Sequence, residues 1–122
     1  MGVSLTNQEV ECTFMSETIF EVVAKFGKKI RLTKGKYDHV CKRHPEVTGE
    51  ISKMRKTLAS PQTVRKSLYD EKVWLFYRFF KSTPVTEKYL MVAARILNDE
   101  GFVVTSYFAG KVMMGEEIWR ER

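Results

Sequence analysis

Lys88-Tyr89-Leu90-Met91-Val92-Ala93-Ala94-Arg95-Ile96-Leu97 runs through Asn98-Asp99-Glu100-Gly101 into Phe102-Val103-Val104-Thr105-Ser106-Tyr107-Phe108-Ala109. The first ten residues are nearly continuous in apolar side chains, as expected of a central strand covered on both faces. The next four are a strong turn signal. Residues 102–109 then read as the last clear strand, so the stretch closes an antiparallel meander. Successive strand side chains alternate faces. Phe102, Val104, Ser106 and Phe108 are expected toward the helices, and Val103, Thr105, Tyr107 and Ala109 on the other side. Thr105 and Tyr107 lie about 7 Å apart along the strand and set two hydroxyls on an open concave face. Both residue types are also good strand formers, so their functional reading depends on what lies near them.

Upstream, residues 63–69 and 73–80 flank a tight turn at Asp70-Glu71-Lys72 and supply the other two strands of the meander. Ser82-Thr83-Pro84 falls in a longer loop. Residues 18–25 read as a strand, Gly27 as a turn, and residues 28–32 as its hairpin partner. Thr33 can cap a helix over residues 34–43. Tyr37, Val40, Cys41 and His44 form one stripe of that helix, and Lys36, His39 and Arg43 a polar one. Pro45 ends the helix. A second helix is expected over residues 47–59, burying Val47, Ile51, Met54 and Leu58 and ending at Ser60-Pro61. The expected fold is α+β: an N-terminal β-hairpin and two helices packed on one face of a four-stranded antiparallel sheet. It forms a single domain over residues 1–122, with a loose arm at 1–13, a core at 14–110 and a tail at 111–122. Trp119 in that tail either docks on the core or belongs to an interface.

Apolar residues make up 43% of the chain, enough for an ordinary globular core. No apolar run reaches the ~18 residues of a membrane span, and no signal peptide is expected. Met1-Gly2-Val3-Ser4-Leu5-Thr6 formally matches an N-myristoylation pattern, but acidic rather than basic residues follow it, and stable anchoring needs a second signal. Cys12 and Cys41 make no disulfide framework, which fits a reduced, cytoplasmic setting. His39, Cys41 and His44 lack a fourth ligand and follow no common finger spacing. No metal or cofactor is expected, and Cys41 reads as a buried structural residue.

The formal net charge of +6 is unevenly spread. Residues 1–24 carry four acids and no lysine or arginine, whereas residues 25–66 carry 13 basic residues against three acids. A cluster this dense points to a polyanion partner. Lys34, Lys36, Lys42, Lys53, Arg55, Lys56, Arg65 and Lys66 would supply a backbone-binding surface. Each alone is an ordinary solvated side chain.

Both histidines, His39 and His44, lie inside this segment. Cutting RNA without a metal needs a base for the 2′-hydroxyl, groups that stabilise charge on the phosphate, and an acid for the leaving 5′-oxygen. Histidines suit proton transfer near neutral pH. His39 is the better candidate for base or acid, because it shares a helix face with Arg43, whose fork suits the phosphate. His44 lies on the buried stripe and can serve catalysis or cap the helix end. Thr105 and Tyr107 can donate to phosphate or ribose. Tyr37 and Tyr107 are possible base-stacking platforms.

In order along the chain, Ile30-Arg31-Leu32-Thr33, Tyr37, His39-Val40, His44-Pro45-Glu46, Thr57-Leu58-Ala59-Ser60-Pro61 with Val64, Phe76-Tyr77, the apolar strand from Tyr89 to Ala94, and Phe102–Tyr107 resemble the phage- and plasmid-associated branch of the barnase–EndoU–colicin–RelE nuclease group. The resemblance covers about residues 29–109. It implies a helical layer on a four-stranded antiparallel sheet. It also implies metal-independent endoribonuclease activity, often that of a toxin with a neutralising antitoxin partner. The group's polar helix positions would fall on His39 and His44, and its hydroxyl-bearing strand positions on Thr105 and Tyr107. Thr57 matches a recurrent position and is expected to cap or pack within its helix. The alternative is an RNA- or DNA-binding module without chemistry.

Overall fold

The computed structural model describes residues 17–112 and 115–121. Seven strands and two α-helices follow one another as β1 (Thr18–Val23), β2 (Lys29–Thr33), α1 (Lys34–Arg43), α2 (Ile51–Ala59), β3 (Thr63–Lys66), β4 (Val73–Phe79), β5 (Tyr89–Leu97), β6 (Glu100–Ala109) and β7 (Glu116–Arg120). All seven strands join one sheet in the order β1-β2-β6-β5-β4-β3-β7. The fold is α+β, but the expected four-stranded antiparallel sheet is too small and of the wrong kind. The predicted meander, β3 to β6, is present as its middle. The N-terminal hairpin is part of the sheet, because β2 pairs in parallel with the start of β6 through Lys29↔Glu100, Ile30↔Gly101 and Arg31↔Phe102. The predicted tail supplies β7, which pairs with β3. The Thr63 hydroxyl donates to the Trp119 carbonyl at 3.0 Å, and Arg65 donates to the Gly115 carbonyl at 3.0 Å. The expected arm at 1–13, Cys12 and the myristoylation pattern lie outside the described residues.

Thr33 caps α1 as its sequence predicts, accepting the Lys36 N–H at 3.2 Å. The second helix begins later than expected. Pro45–Val47 form a separate 3-10 turn, and Gly49 takes a left-handed φ of +82° that a helix cannot pass through. Val40, Val47, Met54 and Leu58 are buried against Ile30, Leu32, Leu90, Val92 and Phe76 on the inner face of the sheet. Fully burying each such side chain contributes roughly 1.5–3 kcal/mol. Thr57 is buried too and returns its hydroxyl to the Lys53 carbonyl at 2.8 Å, packing within its helix. Cys41 is only partly buried, at the edge of this core. Among the described residues, no helix is long and apolar enough to cross a membrane.

The sheet coils around α2, which packs against β1, β4 and β5. The β1–β2 turn thereby meets the far strands. Phe26 stands edge-on to Trp74 of β4 at 6.1 Å between centroids, and the Lys25 ammonium sits 4.1 Å from the ring centre of Trp119 in β7. Trp119 docks on the core through its partly buried ring.

The turn before β4 carries a titratable brace. Asp70 accepts the Lys72 backbone N–H at 3.0 Å and pairs with Arg95 of β5 at 2.6 Å. The Lys72 N–H first, and Arg95 with it, hold the Asp70 carboxyl below its ordinary value. A depressed carboxyl stabilises the fold above the ordinary carboxylate range, and that contribution is lost as pH falls through the lowered value. Asp70→Asn should therefore melt below the wild type at neutral pH, with the gap closing in acid. Thermal denaturation across that range checks this, and a gap that persists in acid would mean the carboxylate is not its source.

Candidate functional site

β6 loses its β2 neighbour after Phe102. Beyond that point the end of α1 and the Pro45–Val47 turn pack against β6. His44 stands at this junction as the last residue before the proline. Its φ of −135° and ψ of 77° are non-helical, in keeping with the restriction that a following proline imposes. Its backbone N–H still bonds the Val40 carbonyl at 2.7 Å, so the main chain, and not the ring, caps the helix. Val47, fully buried, anchors the turn from below.

The His44 ring is thereby delivered to the side of Tyr107. Their centroids are 5.0 Å apart with planes tilted by 41°, a contact worth about 0.5–1.5 kcal/mol between aromatic rings. The Glu46 carboxylate lies 4.0 Å from Nδ1 of His44. That is too long for a hydrogen bond and near enough for a charge interaction whenever the imidazole is protonated. Both side chains are partly buried and partly open to solvent. An imidazole, a carboxylate and a phenol thus converge at one edge of the sheet.

Tyr107 and Thr105 also line a groove of about 640 Å³ on the sheet face away from the helices. Its floor is apolar, with Tyr77, Met91, Ala93 and Val104, and its rim carries Tyr69 and Lys111. The expected pairing of Thr105 with Tyr107 on this face is present, and Ser106 and Phe108 face the core. The first half of the strand is reversed relative to expectation. Ala93 pairs with Thr105 and Ala94 with Val103, so a bulge at Val104 shifts the alternation. Val103 is consequently buried against the helices, while Val104 lines the groove and Phe102 is exposed.

His39 and Arg43 occupy exposed positions on α1, and neither makes a side-chain hydrogen bond, ion pair or ring contact with another described residue. The eight cations differ in their partners. Lys34, Lys53, Arg65 and Lys66 are paired with Asp38, Glu50, Glu117 and Glu116. Lys36, Lys42, Arg55 and Lys56 have no carboxylate partner among the described residues. Arg65 and Lys66 lie on β3, three strand spacings from β6, or about 14 Å across the sheet. Tyr37 is committed to structure, because its hydroxyl accepts the Gly49 N–H at 2.8 Å. Its burial, above all, raises the phenol pKa.

Sequence reasoning missed Glu46 as a partner of His44. The available signal was its position just after His44-Pro45, where the proline breaks the helix and folds the next residue back. Among the described residues, no three His, Cys, Asp or Glu side chains gather as a metal site.

No family model, curated protein or solved structure matches this chain. The functional reading therefore rests on the geometry of the site and on the chemistry of its residues.

Proposed function

We propose that the chain is an endoribonuclease that cuts RNA by general acid–base attack of the 2′-hydroxyl, with His44 as the principal proton-transfer group. The observation that carries this reading is the His44–Tyr107 contact at the edge of the groove, with Glu46 behind it. In the reaction, the 2′-oxygen bonds to phosphorus as the P–O5′ bond breaks. The 2′-proton goes to a base and the 5′-oxygen receives one from an acid, leaving a 2′,3′-cyclic phosphate and a free 5′-hydroxyl. His44 and Glu46 are the two groups at the site that can divide these transfers. The Tyr107 hydroxyl, with Thr105 on the same face, supplies hydrogen bonds to phosphate or ribose. Arg43, next in sequence to His44, provides a cation for the incoming strand. The resemblance to the barnase–EndoU–colicin–RelE group points to the same chemistry and to a toxin role with a neutralising protein partner.

The test is incubation of the pure protein with a mixed-sequence oligoribonucleotide in EDTA, followed by analysis of the product ends. Cyclic-phosphate ends are the expected result. Salt-sensitive binding with no products at any protein concentration would replace this reading with the RNA- or DNA-binding module.

A further inference from the structure

The tip of the β1–β2 hairpin has a feature that the cleavage site does not use. Phe26 sits in the left-handed region at φ 70°, ψ 19°, followed by Gly27 at φ +75°. A bulky residue there is a backbone outlier that costs of order 1–3 kcal/mol, and such strain concentrates at binding and switch positions. The strain does not bury the ring, because Phe26 remains 50% exposed. It meets Trp74 at nearly a right angle, and half of its surface stays open to solvent.

Lys25, Lys28 and Lys29 flank the ring along the chain, and no carboxylate among the described residues pairs with any of the three. The two acids nearest in the strand register do not neutralise them. Glu100 is held by Arg31 at 3.3 Å, and Asp99 meets Lys29 through its backbone carbonyl. Lys28 sits over Trp74 at 5.7 Å while donating to the Asn98 carbonyl. An exposed aromatic ring among lysines that no carboxylate neutralises provides the two things a single strand needs, a face for a base and charge for its phosphates.

We propose that this tip is a stacking platform for unpaired bases of single-stranded RNA, a second contact on the substrate away from His44. The inference rests on the RNA reading above and extends it. Lys29 pairs with Glu100 at the start of β6, whereas His44 meets Tyr107 seven residues further along that strand. At about 3.3 Å per residue, the start of β2, which follows the tip, lies roughly 20 Å along β6 from the residue that meets His44. A strand of several nucleotides reaches both, and a dinucleotide reaches one.

The deciding variant is Phe26→Asn. Asparagine tolerates the left-handed conformation, so the substitution removes the ring without breaking the turn. With a labelled oligoadenylate of about twelve nucleotides, anisotropy should show binding weakened about five- to a hundredfold, the range for loss of one base–aromatic stack. Melting temperature should not fall, and affinity for an RNA duplex should not change. Unchanged affinity for the single strand, or an equal loss for the duplex, would overturn the platform. A variant that melts lower and binds normally would show that Phe26 serves packing alone. Cleavage is scored separately with a dinucleotide, which His44→Ala should slow at least about a hundredfold and Phe26→Asn should leave intact. Strand binding through Phe26 without cleavage keeps this inference and removes the enzyme reading. Cleavage with Phe26-independent binding does the reverse.

Discussion

His44→Ala is expected to reduce RNA cleavage at least about a hundredfold, the lower end of what a positioned proton-transfer group contributes. Affinity for RNA and the folded state should be largely retained, since the ring is only partly buried and the cap of α1 is made by the His44 backbone. His39→Ala should cleave at near the wild-type rate. The contrast matters because the polar stripe of α1 favours His39, which shares its face with Lys36 and Arg43. The structure leaves His39 exposed and without a partner among the described residues, whereas it gives His44 a carboxylate and a phenol. Two further variants divide the roles. Tyr107→Phe keeps the ring contact and loses only the hydroxyl, so a fall in rate assigns the loss to hydrogen bonding with substrate. Glu46→Gln keeps the shape and removes the charge, and should slow cleavage with little effect on binding. Initial rates on one oligoribonucleotide, with melting curves for each variant, decide the matter. An active His44→Ala and an inactive His39→Ala would move the chemistry to the open face of α1.

What can be read from the residues is local. Thr33, the α1 stripe and Pro45 lie within one stretch, and together they specify a helix with both ends marked. The meander is legible because its turns are chemically explicit, with Asp70 holding one and Asn98 adopting φ 57° at another. What escapes depends on pairing between distant segments. Nothing in Lys29–Thr33 announces that its free edge will join Glu100–Phe102 in parallel. The β7 sequence Glu-Glu-Ile-Trp-Arg does not alternate cleanly, and becomes a strand only because β3 offers it an edge. The bulge at Val104 is hidden for a similar reason. Val103 and Val104 are equally apolar, so sequence cannot say which faces the core, and the count from Phe102 runs one residue out of step. Downstream of the bulge the count recovers, which is why alternation places Thr105 and Tyr107 on the correct face. The site is half legible on the same grounds. Its hydroxyls follow strand alternation, but the approach of His44 to Tyr107 depends on β2 ending early beside β6.

Gly101→Ala is expected to be the most damaging small substitution in the sheet. The turn signal puts this glycine in a loop, but it lies inside β6, paired with Ile30 of β2 on one side and Ile96 of β5 on the other. A Cβ built there falls 2.4 Å from the Arg95 carbonyl oxygen, 3.3 Å from its carbon and 3.0 Å from Cδ1 of Ile30. The closest of these is backbone, not the end of a flexible side chain. Ile30 is itself fully buried and has little room to yield. The strand must therefore move, and its parallel pairing with β2, Lys29↔Glu100 through Arg31↔Phe102, moves with it. Overpacking of this kind costs typically 1–3 kcal/mol and occasionally more. With backbone on one side and a filled core on the other, we expect about 3 kcal/mol, or a fall in melting temperature on the order of 10 °C. Gly110→Ala is the matched control. It lies just beyond the same strand, where an added methyl would meet nothing within 4 Å, and it should melt like the wild type. Equal stability of the two variants would mean that β5 and β6 do not approach as closely as described at Gly101. The register that carries Tyr107 to His44 would then need to be redrawn.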